Sequence, residues 1–311
     1  MTTLKPITEL SQTATVAATR DSSLTARTSL AQTGDSSQSS SEPAGWLSGV
    51  RDQLRELYRY RELLYMITYR DVRVRYKQSI MGFMWAIFMP ILIVMSGIVV
   101  RYAYALAAHR QLEMSDLASV AVKSIPWAFV VSSIRFGCNS LTQSNRELVT
   151  KIYFPKEIFP LASVLSSLFD FGVATAALIV VFAVLRVRVN ANLLWAPIIL
   201  VVMAALVAGI SMLVASASLF FRDVKYIVEL LLTFGIFFTP VFYDVDMFGR
   251  KGKWLLLNPV APLLEGLSAC VTQGKPPDIY WFSYSLAWAV VMLLGGYAFF
   301  KHLEPAFAES I

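Results

Sequence analysis

From residue 79 onward the chain alternates between long apolar blocks and short polar stretches. About twenty consecutive apolar residues cross the hydrocarbon core of a bilayer as an α-helix. The pattern predicts such spans over 79–101, 122–143, 158–185, 193–220, 224–243 and 280–300. A further apolar stretch, 254–272, is broken by Pro259 and Pro262. Proline removes a backbone donor and clashes with the preceding helical turn. This stretch therefore reads as two short helices dipping into the membrane between spans five and six, not as a span. The fold class expected is an all-α integral membrane protein.

Upstream the pattern changes. In 49–77, Leu54, Leu57, Tyr58, Leu64, Tyr65 and Thr68 recur on one face of a helix. Arg55, Arg59 and Glu62 fall on the other. An amphipathic helix with basic flanks and tyrosines predicts a segment lying in the membrane interface. Residues 1–48 are Ser/Thr-rich and carry almost no aromatic residue. Such a composition cannot bury a core, so the segment reads as disordered and, with the N-terminus inside, cytoplasmic. It has no continuous apolar run of signal-peptide type. Residues 49–311 then form one membrane domain.

Composition agrees: 56% of the 311 residues are hydrophobic, only 15% are charged, and mean hydropathy is +0.58. Soluble domains run nearer a quarter charged. A net charge of +6 on such a chain points to topology rather than to nucleic acid. Lys and Arg are most frequent on segments that lie inside if the N-terminus is inside, with the densest cluster before the first span. That favours both termini on the cytoplasmic side. Two separated cysteines, Cys138 and Cys270, and two lone histidines, His109 and His302, give neither a disulfide framework nor a metal spacing.

Several groups stand out against this background. Arg70, Arg73, Arg75 and Lys77 crowd the entrance to the first span. They set topology, grip an anionic lipid head group, or both, and Asp71 is placed to pair with Arg75 at i, i+4. Arg135 in the second span and Asp170 in the third are expensive where they lie. They read either as an inter-span ion pair or as a polar channel lining. Trp85, Phe88 and Tyr102 fit an interfacial aromatic belt or rings lining a channel. Ala204, Ala205, Ala208 and Gly209 make overlapping small-xxx-small pairs, a face for close helix packing.

The stretches "ELLYMITYRDVRVRYKQSIMGFMWAIFMP" (62–90), "PWAFVVSSIRFGCNSLTQSNRELVTKIYFPKEIFPLASVLSSLFDF" (126–171), "FRDVKYIVELLLTFGIFFTPVFY" (221–243) and "LNPVAPLLEGL" (257–267) with "LEPAFAESI" (303–311), in this order, carry a resemblance. Over about residues 50–311 the chain resembles the permease subunit of ABC-type exporters of polysaccharides and polyol phosphates, such as O-antigens, capsules or teichoic acids. The resemblance implies a homodimer working with two ATPase subunits in the bacterial inner membrane, with a channel between the first and fifth spans. The cargo implied is a glycan on a lipid diphosphate. No G-x-x-x-x-G-K-[ST] loop is present, so ATP and Mg²⁺ are expected on the partner subunit, with no cofactor on this chain. The chain is then a transport subunit and not an enzyme. The resemblance also makes 144–157 the helix that couples to the ATPase, built from Asn145, Arg146, Glu147, Lys151, Tyr153, Phe154 and Pro155. Asn145 suits an N-cap, and Pro155 ends the helix. An ordinary charged loop is the plainer reading of the same residues. Ser268 stands where that family often has Arg. The alternatives are export of a small molecule by the same fold, or a membrane-embedded enzyme acting on lipid or glycan. The second needs clustered His or paired acids, which are lacking.

Overall fold

The computed structural model describes residues 59–77, 82–109, 111, 113–142, 155–184 and 190–307. The 1–48 segment and Asn145, Arg146, Glu147, Lys151, Tyr153 and Phe154 lie outside the described residues. Among the described residues all regular structure is helical: α1 Arg61–Lys77, α2 Trp85–Ala107, α3 Met114–Asn139, α4 Ile158–Val184, α5 Trp195–Phe220, α6 Asp223–Phe238, α7 Val260–Ser268 and α8 Ile279–Leu303. A 3₁₀ stretch, Val245–Leu257, and a π turn, Ala269–Gln273, flank α7.

Five of these elements, α2, α3, α4, α5 and α8, are long and apolar enough to cross a membrane. The fifth expected span is helical only over 16 residues of α6. At 1.5 Å per residue that is about 24 Å, short of the roughly 30 Å core. Pro240 explains the stop, because a proline disfavours helical backbone at the residue before it. The Thr239 hydroxyl closes the last turn onto the Gly235 carbonyl at 2.8 Å.

The first two spans also sit differently from their sequence limits. Helix α2 continues through Arg101 to Ala107, and α3 begins at Met114, through Asp116 and Lys123. A capping box of Glu113 and Asp116 starts α3. Charges that look like loop residues are inside helices because they are paired there.

Helices α3 and α5 form the interior, with α4, α6 and α7 packed around them. Gly209 of α5 faces the Met292–Leu293 backbone of α8, and Gly296 of α8 faces the Gly209 carbonyl. This is the close-packing face expected from the small residues of span four, completed by a glycine on its partner. The broken stretch after α6 is short helices, as expected. Asn258 holds it by donating to Thr239 Oγ1 and accepting from the Val260 N–H. Tyr284 and Ser285 of α8 donate to the Leu257 and Pro259 carbonyls.

Helix α1 packs along the first half of α4 through Leu63, Leu64 and Ile67. Of the expected apolar face, Leu54, Leu57 and Tyr58 lie outside the described residues. Tyr65 points away from α4, 71% exposed, alongside Met66 and Tyr69, because α4 takes the 60/63/64/67 side of the helix and leaves the tyrosine ring for the surroundings.

Candidate functional site

Three charged clusters interrupt this apolar bundle. The first forms where α1 ends beside the middle of α4 and the last turn of α3. Arg70 turns back on its neighbour Asp71, with its Nη2 2.7 Å from Oδ1. The expected Asp71–Arg75 pair is therefore absent, because that carboxylate is occupied. Arg75 instead reaches Asp170 of α4 and donates to Ser166 Oγ at 3.0 Å. Its guanidinium lies over the Phe136 ring, 3.9 Å from the centroid. The Tyr76 hydroxyl donates to the same Asp170 at 2.6 Å. Burial first, and the Asp170 carboxylate second, push the Tyr76 phenol up, so it stays a protonated donor.

Arg135 does not meet Asp170. Its Nε and Nη2 fork onto the Glu229 carboxylate of α6 at 2.9 and 2.6 Å. The reading of Arg135 and Asp170 as an inter-span pair is corrected on this point. Each has a nearer opposite charge on a third element. Both nevertheless line one cavity of about 490 Å³, together with Arg75, Tyr76, Trp85 and Phe136.

Of the expected site residues, the fold thus brings Arg75, Trp85, Arg135, Asp170 to one place. Phe88 stands edge-on to Trp85 with centroids 5.6 Å apart, on the outer face of α2. Tyr102 lies exposed toward the far end of α2, outside the cavity. Arg73 and Lys77 are exposed on α1, on the side away from α4. Pro155 is buried at the entrance to α4.

The second cluster has no counterpart in the sequence reading, which left Arg101 and Lys123 at the ends of the first two spans and gave them no partner. Both cations are buried, at 2% and 0% exposure. Asp244, just after α6, receives Arg101 Nη2 at 2.5 Å and Lys123 Nζ at 2.5 Å. Lys123 also donates to Glu265 of α7 at 2.9 Å, and Arg101 faces Asp116 at 3.5 Å. Ser119 bridges Asp244 and Ser268, with 2.8 Å between the two hydroxyls. Burial alone would raise the Asp244 carboxyl, but Lys123 and Arg101 together hold it at about 2. Burial keeps Glu265 above its usual range, with Lys123 opposing. One signal was available: Asp116 and Lys123 are two turns apart on one helix face. Asp244 and Glu265 gave none.

The third cluster joins the start of α4 to the end of α8: Lys301 Nζ lies 3.0 Å from Glu157 and 2.9 Å from Glu304.

The ABC-2 type transporter family model matches residues 62–271, more than half of the chain. The O-antigen export system permease protein RfbA of Myxococcus xanthus is 26% identical over 261 residues, covering 83% of this chain and 98% of that protein. A protein of the same name from Klebsiella pneumoniae is 28% identical over 254 residues, covering 80% of this chain and 95% of its own length.

Proposed function

Since the chain belongs to the ABC-2 type transporter family, we propose that it is the membrane subunit of an ATP-driven exporter for a lipid-linked polysaccharide of the O-antigen class. The carrying observation is the match to O-antigen export permeases along nearly their whole length. The chain is a multi-pass membrane protein and a transport subunit. In this reading two copies assemble with two ATPase subunits in the bacterial inner membrane, both termini inside. ATP and Mg²⁺ are held by the ATPase. The exposed apolar faces of α2 (Phe88, Met95, Val99) and α6 (Leu230, Leu231, Phe234) support a channel bordered by those helices of two copies. The connection 143–157 carries the ATPase contact.

The charged cavity fits a bundle that must rearrange around a polar cargo. Intramembrane ionisable groups are costly and mark pathways. Here each cation has its own carboxylate, Arg75 with Asp170 and Arg135 with Glu229, so the cavity stays neutral overall while lined with groups able to exchange partners for sugar hydroxyls.

At the membrane boundary, Arg73 and Lys77 are the residues exposed for anionic head groups, while Arg75 is committed to Asp170. Such attraction is worth about 1 kcal/mol per charge near an anionic surface. Arg73→Ala with Lys77→Ala removes two such charges, about 2 kcal/mol together, and should lower export by roughly thirtyfold, with insertion and assembly intact. If insertion fails instead, these charges act only in topology.

The direct test is purification of the chain with a candidate ATPase subunit, reconstitution, and measurement of ATP hydrolysis with and without lipid-diphosphate-linked glycan. Stimulation by the glycan is expected. Failure to co-purify with any ABC ATPase, or stimulation by small amphiphiles but not by glycan lipid, would overturn the reading.

A further inference from the structure

The end of the chain is tied to the entrance of α4 by three independent contacts. Beyond α8 the backbone makes one 3₁₀ turn, Glu304–Ala306, which places Phe307 in the interior. Phe307 is fully buried beside Phe300 and Phe220, with ring centroids 5.2 and 6.0 Å away. It joins an apolar cluster with Ile67, Leu141, Ile158 and Phe159, drawn from α1, the end of α3 and the start of α4. Lys156 extends over the Phe307 ring, 5.5 Å from its centroid, and its backbone N–H points at Glu304 Oε1, 3.5 Å away. Lys301 bridges Glu157 and Glu304.

Simple helix packing does not call for this. Glu157 is buried, and burial pushes its carboxyl up against the pull of Lys301. Apolar side chains of the same size would join α4 to α8 at least as stably. What a buried ionic contact adds is one specified geometry, since Lys301 accepts only positions that satisfy both carboxylates. The residues so fixed, Pro155, Lys156 and Glu157, are the root from which the 143–154 connection leaves α4.

We propose that Lys301, Glu304 and Phe307 are positioning residues that hold this root in the orientation in which the connection meets the ATPase. The inference rests on the reading of that connection as the ATPase contact and goes beyond it, by assigning its alignment to the tail of the chain. A root held in advance need not be ordered when the partner docks, and pre-organisation of this kind appears as affinity.

The test uses the full-length protein in lipid nanodiscs, titrated with the purified ATPase subunit. Lys301→Met and Glu304→Gln should each weaken ATPase binding about tenfold, equivalent to about 1.4 kcal/mol. The Glu304→Gln midpoint should stay close to wild type, while Lys301→Met, which leaves the buried Glu157 without its cation, should lower its midpoint, so the glutamine variant carries the comparison of affinity at equal stability. Lys301→Arg, which keeps both carboxylates partnered, should bind as the wild type does. In cells, excess ATPase subunit should recover the export lost in either variant, because the defect is one of affinity. Glu304 is partly exposed, so its glutamine variant removes the contact without risk to the core. Unchanged ATPase affinity in both variants would overturn the proposal. So would a fall in the Glu304→Gln unfolding midpoint that accounts for the loss of binding and that excess ATPase does not relieve. A wild-type chain that binds no ATPase would remove the underlying reading, and the proposal with it.

Discussion

Asp244→Asn is expected to destabilise the protein by about 3–5 kcal/mol, the usual cost of breaking a buried ion pair by removing one partner. Asp244 is the shared anion of two buried cations, Arg101 and Lys123, each 2.5 Å from one of its oxygens. Asparagine keeps the shape and one acceptor but leaves the charges uncompensated. Lys123 retains Glu265 at 2.9 Å, while Arg101 retains only Asp116 at 3.5 Å. Thermal unfolding in detergent reads the loss as a drop on the order of 10 °C. Asp116→Asn, at the long and partly exposed contact, should cost no more than about 1 kcal/mol. Equal midpoints for Asp244→Asn and the wild type would mean that the network contributes nothing.

The same carboxylate gives a pH dependence of definite sign. Its value is lowered from 3.8 to about 2, so it contributes stability that is complete above about pH 4. At 1.36 kcal/mol per unit the contribution is about 2 kcal/mol, lost as pH falls through about 2. Asp244→Asn should abolish this part of the acid sensitivity, and a persisting slope between pH 4 and 2 would assign it elsewhere.

Gly209→Leu should prevent the α5–α8 crossing from forming. A side-chain carbon at Gly209 would overlap the Met292 carbonyl and the Leu293 nitrogen, and one at Gly296 would overlap the Gly209 carbonyl. Overpacking usually costs 1–3 kcal/mol because neighbouring side chains shift. Here the obstacle is backbone, so no rotamer change relieves it, and a loss of about 3 kcal/mol or more is expected. Even Gly209→Ala should be destabilising. Gly295, one residue from Gly296, has open space where its Cβ would be, so Gly295→Ala is the control. It should be neutral, or stabilising by up to about 1 kcal/mol through loss of unfolded-chain entropy. The yield of monodisperse protein after extraction, with its unfolding midpoint, separates the two. Similar behaviour of both alanine variants would refute the close crossing.

Much of the architecture was legible along the chain. The apolar blocks gave α2, α3, α4, α5 and α8, and Pro259 and Pro262 marked the short helices after α6. Both depend on local properties, the hydrophobicity of a window and the stereochemistry of proline. The small residues around Gly209 likewise announced a close face, although not the partner glycine. Helix limits were less legible. Arg101 and Lys123 marked the expected ends of the first two spans and Asp116 fell between them, because an unpaired charge ends a span, and nothing local reveals that a charge is paired. The candidate cavity was half legible. Arg75, Trp85, Arg135 and Asp170 were singled out by cost and type, while the expected partners, Asp71 for Arg75 from i, i+4 spacing and Asp170 for Arg135 from adjacent spans, came out differently.

By itself the sequence determined an all-helical membrane protein, the places where helices must run or stop, and a face where two backbones can touch. These follow from the 3.6-residue period, bilayer thickness and proline geometry, which act over one or two turns. Only the tertiary structure decided where the charges go. Asp244 stands 121 residues from Lys123 and 143 from Arg101, Asp170 stands 95 from Arg75, and Glu229 stands 94 from Arg135. In an apolar interior a charge takes whichever opposite charge the packing brings nearest, because leaving it unpaired costs several kcal/mol. That choice is made between helices, and no periodicity along one helix records it.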